Sequence, residues 1–193
     1  MREYPWFDFD QVDFVTSDTH FSHARISELA DRPFSTVAEM DAAMIRRWND
    51  VIAPDSVVLH LGDVALGPIE ESIALTAHLH GRRFLVPGNH DRVSPATQSK
   101  RAVERFAPLY EAAGWEILPE VIEGTRRGYR ILASHYPYAG AASPPIATYL
   151  IAPAGTTASR YSTGTPTRAT MARTGISFTW ASTRTTSHLS RSA

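Results

Sequence analysis

Four short runs in this 193-residue chain carry side chains that can hold divalent cations: Ser17-Asp18-Thr19-His20, Leu61-Gly62-Asp63, Pro87-Gly88-Asn89-His90-Asp91 and Ser134-His135. Carboxylates, imidazoles and a carboxamide suit hard or borderline metals. With no cysteine in the chain, any metal must sit on His, Asp, Glu or Asn. Two divalent cations about 3.5–4 Å apart can clamp the attacking and leaving oxygens of a phosphoryl displacement, and such a pair needs a shared carboxylate. Asp63, alone on its turn, suits the shared position; Asp18 and His20 suit one ion, and Asn89 with His135 the other. His90, beside a ligand yet directed elsewhere, is free for acid chemistry. Taken singly, each has a plainer reading: Asp18 as a turn cap, Gly62-Asp63 and Gly88-Asn89 as turn residues, His20 and His135 as satisfied core histidines. The ordered set, each member at the end of an apolar run, points to one site.

The elements that must position these runs alternate between strand and helix. Val12 to Phe21, Ser56 to Ala65 and Arg83 to Asn89 read as short apolar strands ending in polar turns, and strand ends are where sites collect in an α/β sheet. A helix opens at Ser35 or Thr36, with Glu39 placed for a capping box and Val37, Met40, Met44, Trp48 and Val51 on one face. Pro68 to His80 reads as a second helix stopped by Gly81, and a third lies near Ser99 to Ala113. Trp115 to Ile122 and Tyr129 to Ser134 read as strands joined through Gly124 to Gly128, which adds an antiparallel hairpin. The expected class is α/β, with mixed strands in two packed sheets flanked by helices.

The motifs D-x-H, G-D, G-N-H-D and H over residues 12–138 resemble those of the calcineurin-like metallophosphoesterases. The resemblance implies a four-layer αββα sandwich of two mixed sheets and two divalent ions, Mn²⁺ first, with Fe, Zn or Ni as alternatives. It implies Asp63 as the bridge, His90 as proton donor to the leaving oxygen or support for the transition state, and Asp91 orienting His90. It also implies a metal-bridging hydroxide as nucleophile. His23 and Arg25 could reach a phosphate or lie on a surface loop, and His60 could pack or support the ligands. His78 and His80 are explained by a helix end, and Tyr136 and Tyr138 could line the mouth of the pocket.

That family closes its site with a later G-H-x-H motif, and no such motif follows His135 here; the one later histidine is His188. From Ala141 onward the chain has no Asp, Glu, Lys, Asn or Gln and is dominated by Ser and Thr. The expected division is therefore an incomplete metallophosphoesterase domain over 1–140 and a Ser/Thr/Arg-rich non-native or disordered tail over 141–193, with the C-terminal strands missing or disordered. Such a composition is what GC-rich coding DNA yields out of frame. If each shifted codon takes the third base of one codon and two bases of the next, Tyr161 to Thr167 permits Leu-Leu-His-Gly-His-Thr-His. In the same frame Gly175 to Ser190 permits an alternating Val-x-Val stretch in which acids return. A frame change near residues 140–146 accounts for both.

Net charge is -1, without the basic excess of a nucleic-acid binder: residues 1–140 hold 14 of the 19 basic residues and all 20 acidic ones. The expected activity is metal-dependent hydrolysis of phosphate mono- or diesters, with a small phosphoester as substrate. No membrane partner and no duplex DNA are expected. The alternative is an inactive frameshifted product retaining part of a metal-binding fold. With neither a basic apolar leader nor an apolar run of membrane-spanning length, the expected location is cytoplasmic.

Overall fold

The computed structural model describes residues 4–30, 32–136, 149–151, 170–173 and 176–179. Strands β2 (Phe14–Thr16), β3 (Val57–His60), β4 (Arg82–Leu85) and β5 (Trp115–Ile117) lie side by side and parallel. Between them run α1 (Ile26–Leu29), α2 (Val37–Val51), α3 (Ile69–Leu75) and α4 (Lys100–Ala112). Because strand side chains alternate, Phe14, Val58 and Leu85 face the helices and pack on Met40, Trp48, Ile73 and Tyr110, while Leu59 and Phe84 face the other way. Both faces are covered, which is why these strands read as continuous apolar runs.

The second sheet has the order β1-β6-β7-β8, from Trp6–Asp8, Val121–Arg126, Tyr129–Ser134 and Tyr149–Ile151. Between the sheets lies a core of Phe7, Phe9, Leu59, Phe84, Val86, Ile122, Ile131 and Ala133. The Phe7 ring meets Phe9 and Phe84 edge-on, each at 5.1 Å. This is the expected α/β architecture of two packed sheets with helices. Among the described residues the four α-helices all cover the outer face of the larger sheet, and none covers the outer face of the smaller one. No helix among the described residues is long and apolar enough to cross a membrane.

The capping expectation holds, with the roles divided: Thr36 Oγ1 accepts the Glu39 N–H at 3.1 Å, and the Glu39 carboxylate reaches back to the N–H and hydroxyl of Ser35. Three expectations are corrected. The run Trp115 to Ile122 is two strands in different sheets, β5 and β6, broken at Leu118-Pro119-Glu120, where Pro119 has no N–H to donate. Gly124 lies inside β6, where a side chain would collide with the Phe7 backbone. The hairpin turns instead on Arg127 (φ 49°) and Gly128 (φ 81°), the two left-handed positions that a tight turn needs.

The third correction concerns the tail, where no strand pairing was expected beyond 141. β8 pairs antiparallel with β7, β9 (Thr170–Arg173) pairs antiparallel with β2, and β10 (Ile176–Thr179) pairs with β9. Without these strands β2 and β7 would offer rows of unpaired N–H and C=O groups, which any extended segment with strand-forming residues can satisfy. The remainder of 141–193, with Thr165, Thr167 and His188, lies outside the described residues, as does Tyr138.

Candidate metal centre

The turns after β2 and β3 run alongside each other. Backbone N–H groups of Leu61, Asp18, His20 and Phe21 donate to the carbonyls of Thr16, Gly62, Asp63 and Val64 at 2.7, 2.9, 3.0 and 2.9 Å. Along this ladder Asp18, His20, Ser22 and Asp63 all take positive φ, between 51° and 60°. Left-handed backbone costs a non-glycine residue about 1–2 kcal/mol, and it persists only where the surroundings dictate it. Close approach of the third turn demands glycine. A Cβ on Gly62 would lie 2.5 Å from Gly88 N and 2.7 Å from His135 Nδ1, and one on Gly88 would collide with the Asp63 carboxylate.

The result is a convergence on Asp63, which is almost wholly buried. Its Oδ2 lies 3.8 Å from His20 Nε2, which is itself 3.6 Å from Asp18 Oδ1. Its Oδ1 lies 3.7 Å from His135 Nε2, which is 3.0 Å from Asn89 Oδ1. One ligand atom from each of Asp18, His20 and Asp63 falls within 4.8 Å of the others. Burial works to raise the Asp18 carboxyl, but hydrogen bonds from His20 and Ser17 and the charges of His135 and His20 outweigh it, so Asp18 stays below the usual carboxylate range.

Two observations fit a cation here. Asp63 Oδ2 is buried without a hydrogen-bond partner. At the other end, His135 Nδ1 lies 2.8 Å from the Leu61 carbonyl, an atom that only accepts, so Nδ1 carries the proton. Nε2 then offers a lone pair toward Asn89 Oδ1 and Asp63 Oδ1, an arrangement that a cation joining them would satisfy, as would an Asn89 amide turned to present its NH₂ to Nε2. The structure thus brings Asp18, His20, Asp63, Asn89 and His135 close together, with the Asp63 carboxylate between Asp18 and His20 on one side and Asn89 and His135 on the other.

His90 stands at the open side. Its side chain is 39% exposed, its Nε2 is 3.9 Å from Asp63 Oδ2, and its backbone N–H donates to Asp63 Oδ1 at 2.9 Å. The implied role of Asp91 is corrected. Its carboxylate takes the N–H of Asp63 and Gly88, each at 2.8 Å, and of Val64 at 3.1 Å, so its hydrogen bonds run to the main chain and not to the His90 ring. Burial, reinforced by the Asp63 charge, pushes this carboxyl up to about 6 against those donors.

The weaker candidates divide. His23 lies beside the His20 ring, with centroids 5.6 Å apart. His60 is fully buried edge-on to Trp115, and its Nε2 meets Thr19 Oγ1 at 3.1 Å. Since that hydroxyl donates to the Val64 carbonyl at 2.8 Å, His60 is the donor and steadies the residue between two ligands. His78 and His80 have structural surroundings: Asn49 brackets both through their backbone. Tyr136 shares Ser94 with Glu120, tying the end of β7 to the loop after Asn89. Sequence reasoning missed Arg32 and Asp41, which hold the Asp18–Ser22 loop from the helix side. A signal existed for Asp41: it is a carboxylate four residues after Val37 and three before Met44, on the buried face of α2.

The chain belongs to the calcineurin-like phosphoesterase family, whose model matches residues 14–168. It is 40% identical over 81 residues to an uncharacterized protein of Methanocaldococcus jannaschii, a match covering 41% of this chain and 46% of that protein. It is 30% identical over 133 residues to the gene 66 protein of Mycobacterium phage L5, covering 66% of this chain and 64% of that one. The chain thus spans roughly half to just under two-thirds of these relatives. Among solved structures it is similar to AQ665 of Aquifex aeolicus, a protein of unknown function, with a TM-score of 0.47 and 26% identity over 64% of this chain and 60% of that one.

Proposed function

We propose that this chain is built as a hydrolase of small phosphate mono- or diesters working through a dinuclear metal centre. The observation that carries the reading is the division of the Asp63 carboxylate, with Oδ2 toward Asp18 and His20 and Oδ1 toward Asn89 and His135. Bound there, two divalent ions would supply Lewis acidity toward the phosphoryl oxygens and an activated hydroxide as nucleophile, with Mn²⁺ the first candidate. The protein's part is placement. The Leu61 carbonyl fixes the His135 tautomer, Asp91 fixes the turns carrying Asp63 and Gly88, and His60 fixes Thr19. His90, exposed beside Asp63, can hold a proton where a leaving oxygen departs. The excess of acids over 1–140 favours a small substrate over duplex DNA.

The missing G-H-x-H imidazoles favour a second reading of the chain as written: a product whose frame changes near 140–146, leaving each ion one ligand short. The coding DNA across residues 135–170 decides this directly. The function itself is tested with a frame-restored chain on aryl phosphate mono- and diesters. Turnover should require added Mn²⁺, stop with a chelator, and be lost in Asp63→Ala. Metal-independent turnover would overturn it.

A further inference from the structure

The Asp18–Ser22 segment is unusual in that every second residue, Asp18, His20 and Ser22, is left-handed. A chain in that conformation cannot use a regular ladder on its helix side, so its polar groups there need other partners. Two side chains supply them. Arg32 spreads its guanidinium over consecutive carbonyls, with Nη1 2.9 Å from Thr19 O and Nη2 3.2 Å from Asp18 O. The same Nη1 also faces two α2 methionines, 3.5 Å from Met40 Sδ and 3.4 Å from Met44 Sδ. Asp41, buried on α2, takes Ser22 by both of its donors, backbone N–H to Oδ1 and hydroxyl to Oδ2, each at 2.9 Å. From the opposite side Gly67 presses on Ser22, since a Cβ there would come within 2.7 Å of Ser22 Cβ and O.

We infer that Arg32 and Asp41, which lie in none of the ligand motifs, are positioning residues that hold the Asp18–Ser22 loop in its left-handed form and so set the divalent-cation affinity of Asp18, His20 and Asp63. The inference rests on the metal-centre reading above. Three physical reasons support it. A planar fork can bridge two adjacent carbonyls, whereas an ammonium on a flexible stem meets one at a time. Two carboxylates in one buried site repel each other before a cation arrives, and the Arg32 guanidinium, 3.2 Å from the Asp18 carbonyl, sets a positive charge beside them. Releasing Ser22 would let three strained residues relax toward right-handed backbone, carrying His20 away from Asp63.

The test is Mn²⁺ titration of the full chain, following free Mn²⁺ by its paramagnetic resonance signal, with metal-free Tm recorded in parallel. Arg32→Gln should weaken binding by about tenfold or more, the range seen when a group that orients a metal ligand is removed. Arg32→Lys should recover part of the loss, and Asp41→Asn should weaken binding while keeping one acceptor for Ser22. Unchanged Mn²⁺ affinity in folded Arg32→Gln and Asp41→Asn, with only Tm lowered, would make the pair merely structural and overturn the inference. If Arg32→Gln does not fold, Arg32→Lys and Asp41→Asn carry the same decision. If neither the chain as written nor its frame-restored form bound Mn²⁺, this inference and the metal-centre reading would be overturned together, whereas binding by either form with unaffected variants overturns this inference alone.

Discussion

Asp91 Oδ2 accepts the backbone N–H of Asp63 at 2.8 Å, so the carboxylate next in sequence to His90 holds the main chain of the residue proposed as the shared ligand. With Gly88 and Val64 donating to the same side chain, one buried carboxylate fastens two turns from separate strands. Asp91→Asn would turn an amide NH₂ against N–H donors. The remaining carboxamide oxygen can still serve Asp63 and Gly88, so the Val64 N–H is the donor left unmet, at a cost of about 1–3 kcal/mol, and urea unfolding of the metal-free chain should show a loss in that range. Mn²⁺ affinity should fall with it. A loss below about 1 kcal/mol would remove the clamp from the account.

Gly88→Ala tests how closely the turns must approach. Its Cβ would collide with the Asp63 carboxylate and lie 2.8 Å from His135 Nδ1. Overpacking of this kind costs about 1–3 kcal/mol, and here the displaced atoms belong to the proposed ligands Asp63 and His135, so metal affinity should drop more than stability does. Gly128→Ala is the control. Its φ is +81° but nothing lies within 4 Å, so it should cost roughly 1 kcal/mol of backbone strain and leave Mn²⁺ binding unchanged. Calorimetric titration of both variants separates the two effects.

Much of this site was legible because its chemistry coincides with turn signals: Gly-Asp and Gly-Asn-His-Asp can be seen at the ends of apolar runs whatever sheet those runs join. What could not be read was which backbone groups the side chains meet. Asp91 stands next to His90 in sequence, yet its carboxylate points away to the main chain of Asp63, Gly88 and Val64. Arg32 carries no sequence signal because its partners are carbonyls, which every residue has. In the fold, Trp115 to Ile122 reads as one strand because alternation reports a buried face and not which sheet buries it. The three-residue strand β1 is too short to show a period, and it is defined by pairing with Glu123 to Thr125.

His60 should give the chain a pH-dependent stability. Burial pushes its imidazole down to about 3, with the charges of His135 and His20 acting the same way and Asp18 opposing. The unfolded chain then binds a proton near 6.5 that the folded chain refuses. This contribution is therefore fully present above about pH 6.5 and is lost as pH falls toward 3, with a slope of up to about 1.4 kcal/mol per pH unit. His60→Gln, which keeps a donor for Thr19, should flatten that slope between pH 7 and 5 in urea titrations. An identical slope in the variant would show that His60 does not titrate this way.

His90→Ala in a frame-restored chain should keep its metal and slow esters of poor leaving groups far more than those of activated ones. General-acid help is worth about 10²–10⁴-fold and matters most where the departing oxygen needs the proton. Steady-state rates across phenyl phosphates of graded leaving-group acidity read this out. Equal losses across the series would assign His90 an electrostatic role instead.

The most direct measurement of the central claim is the Mn²⁺ stoichiometry of the chain as written, of its frame-restored form, and of Asp63→Ala in each. Two ions per frame-restored chain, fewer than two in the chain as written, and none tightly held after Asp63→Ala is the expected result, because both ligand groups converge on that one carboxylate. Asn89→Ala in the frame-restored chain should lose chiefly one ion. If Asp63→Ala retained both ions, Asp63 would not be the shared ligand. If the chain as written bound two ions tightly, the segment after 141 would have to supply ligands, and the frame-change reading would be contradicted.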